Sequence, residues 1–105
     1  MIKVKVTYQN KDIVNVEVTG HAEFDEYGKD LVCAGVSTLV TGIANTLYTL
    51  GDREHQSITL RDGYANITIH SSTHDEQLIL ETLVISLETM QESYGQYIEI
   101  LKKEA

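Results

Sequence analysis

Proline and tryptophan are absent from this chain of 105 residues, and cysteine occurs once. Without proline no element is bounded by a fixed φ, so the elements have to be read from hydrophobic period, glycines and caps alone. The lone thiol, Cys33, excludes an intrachain disulfide framework; the core must hold the fold, and a reducing, cytoplasmic setting is expected. Basic residues are also scarce, with 8 Lys and Arg against 16 Asp and Glu, a formal net charge of −8. That excess repels phosphate backbones and anionic bilayers, so no direct nucleic-acid or membrane partner is expected, and a basic protein partner suits the surface better. No basic leader precedes an apolar run, and no stretch reads as the roughly 20 apolar residues of a membrane span. Apolar residues make up 42% of the chain and charged ones 23%, which is enough for one folded domain over 1–105 and argues against disorder.

The pattern that is present alternates between two periods. Ile2, Val4, Val6 and Tyr8 alternate with polar residues, as do Val14, Val16 and Val18, which predicts an antiparallel hairpin turning at residues 9–12. From Asp30 the apolar residues recur at helical steps (Val32, Val36, Leu39, Val40, Ile43, Leu47, Leu50), with Asp30 as N-cap and Gly51 as stop. Residues 57–61 and 64–70 flank Asp62-Gly63, the signal of a type I′ hairpin that would place Leu60 opposite Ala65 and Ile58 opposite Ile67. Thr73 and Glu76 have the spacing of a capping box ahead of Leu80, Leu83, Val84, Leu87 and Met90. Residues 97–101 alternate as a closing strand would. The order ββαββαβ predicts an α+β domain, an antiparallel or mixed sheet packed against two helices.

One connection is longer than an ordinary turn: residues 20–29, between the second strand and the first helix. His21 opens it, and Cys33 falls at the third position of the helix beyond it. Amides at a helix start favour negative charge, so they would support a thiolate there and could donate to an oxyanion. A nearby imidazole could take the thiol proton and return it to a leaving amine. Each residue also has a plainer role: Cys33 as a small packed side chain, His21 as a surface imidazole, Gly20 and Gly28 as turn formers. Asp30 could orient His21 or spend its carboxylate on the amides of Val32 and Cys33; Ser37, one turn after Cys33, could line the site or simply face solvent.

The segment Gly20-His21-Ala22, then Gly28, then Asp30-Leu31-Val32-Cys33-Ala34-Gly35-Val36-Ser37 resembles the signature of the ribosomal-processing cysteine proteases of Gram-positive and related bacteria. The resemblance extends over the whole chain in size and element order, and its specific letters lie between Gly20 and Ser37. It implies a homodimeric, cofactor-free endopeptidase that removes the N-terminal extension of a large-subunit ribosomal protein precursor and so supports ribosome assembly. It further implies His21 and Cys33 as the catalytic pair; Gly20, Asp30 and Ser37 are expected in support from their places around that pair. Asp25 stands where a smaller residue is expected and Tyr27 where histidine is frequent.

Phe24 and Tyr27 could contact apolar residues of such a substrate, or anchor the loop. From Gly20 to Asp30 one lysine faces four carboxylates, 1 − 4 = −3, a charge suited to a basic substrate. A zinc site from His21, Cys33, His70 and His74 is not supported by their spacing. The competing reading is a noncatalytic module that binds a ribosomal protein or an assembly intermediate.

Overall fold

The computed structural model describes residues 1–26 and 30–105. Strand β1 (Ile2–Gln9) buries Ile2, Val4 and Val6 and turns Lys3 and Lys5 outward, as period 2 demands. It pairs antiparallel with β2 (Asp12–Thr19) across Asn10-Lys11, whose φ values of 52° and 72° give both central residues the positive sign of a type I′ turn. The register shifts between Thr7 and Tyr8, where Asn15 and then Ile13 are the partners. Val14 is thereby the extra residue of a bulge. The inward set of β2 is consequently Ile13, Val16 and Val18, with Val14 only half-buried, a correction to the regular alternation read from the sequence. Gln77 satisfies Ile13 at this irregular point, accepting from its N–H (2.7 Å) and donating to its carbonyl (2.8 Å).

Strands β3 (Gln56–Arg61) and β4 (Tyr64–Ile69) pair in the register expected, Ile58 with Ile67 and Leu60 with Ala65. Their turn differs from the expectation. Gly63 has φ of +68° but Asp62 is not at positive φ, so Asp62-Gly63 is not type I′. The Gly63 carbonyl is held from outside the hairpin, accepting the Gly20 N–H at 3.0 Å. β4 lies antiparallel to β2, and β5 (Ile98–Glu104) adds to β1 in parallel, giving a five-stranded mixed sheet in the order β3-β4-β2-β1-β5.

Helices α1 (Leu31–Leu50) and α2 (His74–Tyr94) pack on each other and supply Val32, Val36, Val40, Ala44, Leu47, Leu80, Leu83, Val84 and Leu87 to the core. This is the predicted α+β arrangement, with Leu50 the exception on the α1 stripe at 74% exposure. α1, with 20 residues, is long and apolar enough by composition to cross a membrane, against the expectation that no stretch reads as a span. In this fold its apolar stripe is spent on the sheet and α2.

The capping box at the start of α2 does more than cap. Glu76 accepts from the Thr73 N–H through Oε1 (2.8 Å), and Oε2 accepts from the Asp52 N–H (2.8 Å), tying the α1–β3 connection to α2. Burial opposes charge on Glu76, but hydrogen bonds from the Thr73 and Asp52 amides, the Thr73 hydroxyl and the Gln56 side chain outweigh it, leaving its pKa below the usual carboxylate value. A carboxylate held below its unfolded pKa adds stability above that value and loses it as pH falls through the folded one. Urea unfolding should therefore show a flat midpoint from pH 7 to about 5 and a decline below about pH 4. Glu76→Gln should cost about 1–3 kcal/mol at pH 7, because one N–H would then face an NH₂, and should flatten the acid limb. An unchanged acid limb in the variant would show that Glu76 does not carry this dependence.

Candidate active site

The site begins where β2 ends. Gly20 sits at φ +90°, and a Cβ there would lie 2.5 Å from the Met1 carbonyl oxygen, so the strand exit requires glycine. Glu23, three residues on, is at φ 58°. Between these two left-handed residues the chain turns His21 outward, where it is exposed, and Ala22 inward, where it is 3% exposed. The Ala22 N–H then donates to Cys33 Sγ at 3.1 Å. An amide directed at sulfur presents the positive end of its dipole where a thiolate charge would sit.

Cys33 reaches this contact because α1 starts where it does. Asp30, with φ −77° and ψ 106°, is the N-cap, and its Oδ1 accepts from the Val32 and Cys33 N–H groups at 3.0 Å each. Its Oδ2 reaches back to the loop, accepting from Phe24 N–H at 2.8 Å and Asp25 N–H at 3.3 Å. Burial works against charge on this group, and the bonds from Cys33, Phe24, Asp25 and Val32 overcome it, so its pKa is lowered. Of the two roles the sequence allowed Asp30, its carboxylate oxygens serve the backbone, as cap and clasp at once.

That result corrects a second expectation. The first-turn amides were candidate oxyanion donors, but Val32 and Cys33 give theirs to Asp30 Oδ1, and the Ala34 N–H goes to the Asp30 carbonyl at 3.0 Å. These donors are already committed to the helix start.

The thiol opens into a groove of about 320 Å³ between α1 and the ends of the inner strands. His21, Cys33, Ser37 and Gly20 all line it, with apolar walls from Val36, Val40 and Leu60. The sequence reading missed the opposite wall, the β3–β4 turn, which contributes Arg61, Gly63 and Tyr64. Arg61 lies over the Tyr64 ring, 4.5 Å from its centroid, and with its neighbour Asp62 gives this wall one cation and one carboxylate. Only the β2–β4 pairing brings this turn beside His21, and a single strand's pattern does not announce its non-sequential neighbour.

Phe24 goes elsewhere. Its ring meets Tyr97 edge-on at 5.2 Å and Tyr94 at 6.0 Å, anchoring the loop to the end of α2 and the start of β5, away from the groove walls. Tyr27 and Gly28 lie outside the described residues. His70 stacks on His55 with centroids 4.9 Å apart, and His74 pairs with Asp75 at 3.5 Å, so each imidazole has its own local partner.

A thiol and an imidazole opening into one cleft of an α+β domain are the working parts of a cysteine hydrolase. Residues 1–99 match the family model Cysteine protease Prp, and the chain belongs to that family of cysteine proteases. It is 36% identical over 104 residues to the ribosomal processing cysteine protease Prp of Staphylococcus aureus strain Mu50, covering 95% of this chain and 97% of that one. The Bacillus subtilis protein of the same name is also 36% identical, over 97 residues, covering 87% of each chain. The crystal structure of the essential Prp protease from S. aureus with a covalently linked product peptide superposes with a TM-score of 0.90 at 36% identity, covering 98% of this chain and all, 100%, of the other.

The two functions of Asp30 separate in one substitution. Asp30→Asn keeps an oxygen for the Val32 and Cys33 amides but sets an NH₂ against Phe24 and Asp25. Helix content by circular dichroism should be unchanged, stability should fall by about 1–3 kcal/mol, and amide exchange at Phe24 and Asp25 should accelerate. Asp30→Ala should lose the cap too, about a further 1 kcal/mol. Wild-type exchange at Phe24 in Asp30→Asn would show that the clasp contributes nothing.

Proposed function

We propose that this protease removes the N-terminal extension of a large-subunit ribosomal protein, with Cys33 as nucleophile and His21 as general base and then acid. The observation that carries the reading is the Ala22 N–H bond to Cys33 Sγ, which fixes the residue after His21 against the thiol inside an open groove. The relatives' names and the product peptide covalently linked to the S. aureus enzyme support a peptide substrate of the same kind.

In this mechanism His21 takes the thiol proton as Sγ attacks the scissile carbonyl carbon, and the carbonyl π pair moves onto oxygen. With the helix-start amides engaged by Asp30, the Ala22 N–H is the donor already aimed at the reacting centre, and it receives the developing oxyanion. Collapse breaks the C–N bond, His21 delivers its proton to the leaving amine, and a thioester remains on Cys33. Water then attacks with His21 as base, releasing the carboxylate product and the thiol. The apolar walls at Val36, Val40 and Leu60 receive side chains on the acyl side of the cut. The exposed acidic residues Glu23, Asp25 and Glu26 draw a basic substrate toward the cleft. Ser37 offers a hydroxyl to the peptide backbone.

The enzyme works as a homodimer in the cytoplasm in this reading. The outer face of α2 exposes Leu78 at 53% and Ile85 at 58%, and Leu101 of β5 is 54% exposed, the segments in which the sequence shows more apolar residues than one core needs.

Incubation of an extended ribosomal-protein precursor with wild-type protein should give the trimmed mass by mass spectrometry. Cys33→Ala should bind the same peptide but lower cleavage by at least about 10³-fold, and His21→Ala should also be inactive. Wild-type cleavage by Cys33→Ala would exclude it as nucleophile. Sedimentation should give twice the 11.8 kDa chain mass, and Ile85→Glu should shift the protein toward monomer. A dimer unaffected by that charge would place the interface elsewhere.

A further inference from the structure

We infer that Gly63, at the tip of the β3–β4 turn, is a positioning residue for His21, and that its missing side chain is the seat on which the imidazole rests. A Cβ built on Gly63 would stand 2.8 Å from His21 Nε2, 3.4 Å from Cε1 and 3.6 Å from Cδ2. Its three nearest neighbours are thus atoms of this one ring, which lies against the bare Cα of Gly63. The backbone makes the same junction: the Gly20 N–H donates to the Gly63 carbonyl at 3.0 Å, so the residue before His21 is bound to the turn that supports it.

His21 is exposed, and each surface packed against an exposed imidazole removes some of the staggered χ1 and χ2 states it could otherwise sample. A ring packed on a turn that is itself hydrogen-bonded to the neighbouring backbone has fewer states open to it. For a base that must meet a thiol proton within hydrogen-bond reach, this restriction is what catalysis needs. Positive φ alone does not explain glycine here. Asn is tolerated at left-handed positions, and Asn10 of this chain occupies one at φ 52°. A Cβ here would also press on the imidazole, so that the ring or the turn would have to shift.

The inference rests on His21 being the base, and the test separates the two. Gly63→Asn accepts the backbone conformation but brings the Cβ into the ring; it should lower kcat about 10–100-fold with KM within about twofold. The rate of Cys33 alkylation by iodoacetamide, followed from pH 5 to 9, should lose in Gly63→Asn the same limb that His21→Ala loses. In the double variant His21→Ala/Gly63→Asn the second change should add nothing, either to the alkylation rate or to the loss in Tm, because the ring it meets is gone. Equal losses from Gly63→Asn with and without the imidazole would mean a merely structural turn glycine and overturn the inference. So would wild-type kcat and alkylation profile in Gly63→Asn while His21→Ala is inactive. If His21→Ala itself leaves cleavage and the alkylation profile unchanged, the base assignment fails and the inference with it. Should Gly63→Asn fold poorly, recovery of its Tm by His21→Ala would still support the steric seat, and no recovery would oppose it.

Discussion

Both carboxylate oxygens of Asp30 are filled by backbone N–H groups that arrive from opposite sides, two from the first turn of α1 and two from the loop before it. The helix-start bonds fix where α1 begins and hence which of its residues points into the groove. The loop bonds fix where residues 24 and 25 lie, and so constrain the path from His21 to the helix. A neutral cap such as serine could do the first task but lacks the second oxygen for the other. Burial makes the arrangement costly unless every bond is made, which is why one side chain with four acceptor sites suits it. The aromatic contact of Phe24 with Tyr94 and Tyr97 is a further attachment, fastening the loop to the end of α2.

Sheet topology supplies what the clasp does not. His21 follows β2, and β2 has β4 rather than a sequential strand as its second neighbour, so the β3–β4 turn arrives beside the imidazole. Cys33 comes from a helix that crosses above. The groove is therefore assembled from a strand exit, a helix start and a hairpin turn, three elements whose relative placement depends on the buried apolar sets of β1, β2, β4 and the helices. Such a site is backed by the packed core.

Much of this was legible in the residues because local patterns dictated it. Period-2 and helical stripes placed the elements; the β3–β4 register followed from matching Ile58 with Ile67; Asp30 and Thr73 marked the helix starts. What was not legible depended on partners distant in sequence. The bulge at Val14 is satisfied by Gln77, and the hand of the Asp62-Gly63 turn goes with a hydrogen bond to Gly20. Neither Gln77 nor Gly20 lies in the segment it affects. Phe24 could be given to substrate or to anchoring with equal reason until Tyr94 and Tyr97 were placed beside it. Arg61 and Tyr64 looked like ordinary strand ends, since nothing local says that a strand's neighbour will be the segment that carries His21.

The same clasp that positions the thiol removes the support the sequence assigned to it. A helix start favours negative charge through its free amides and dipole, but here the Val32 and Cys33 amides are given to the Asp30 carboxylate, whose own negative charge sets itself against a second anion nearby. In the proposed mechanism a negative charge on Cys33 Sγ is met from the other side of the groove, by the Ala22 N–H at 3.1 Å and by the His21 imidazole once it has taken the thiol proton. One neutral amide provides a directed hydrogen bond but no net charge, so the cation is the larger contribution. A mechanism of this kind ties reactivity to how well the imidazole is held, because proton transfer between the pair needs hydrogen-bond reach. In this fold the β3–β4 turn lies against His21 and Asp30 fixes the start of the helix that carries Cys33, while the Ala22 N–H and the Asp30 Oδ2 bonds to the loop couple the two halves of the site.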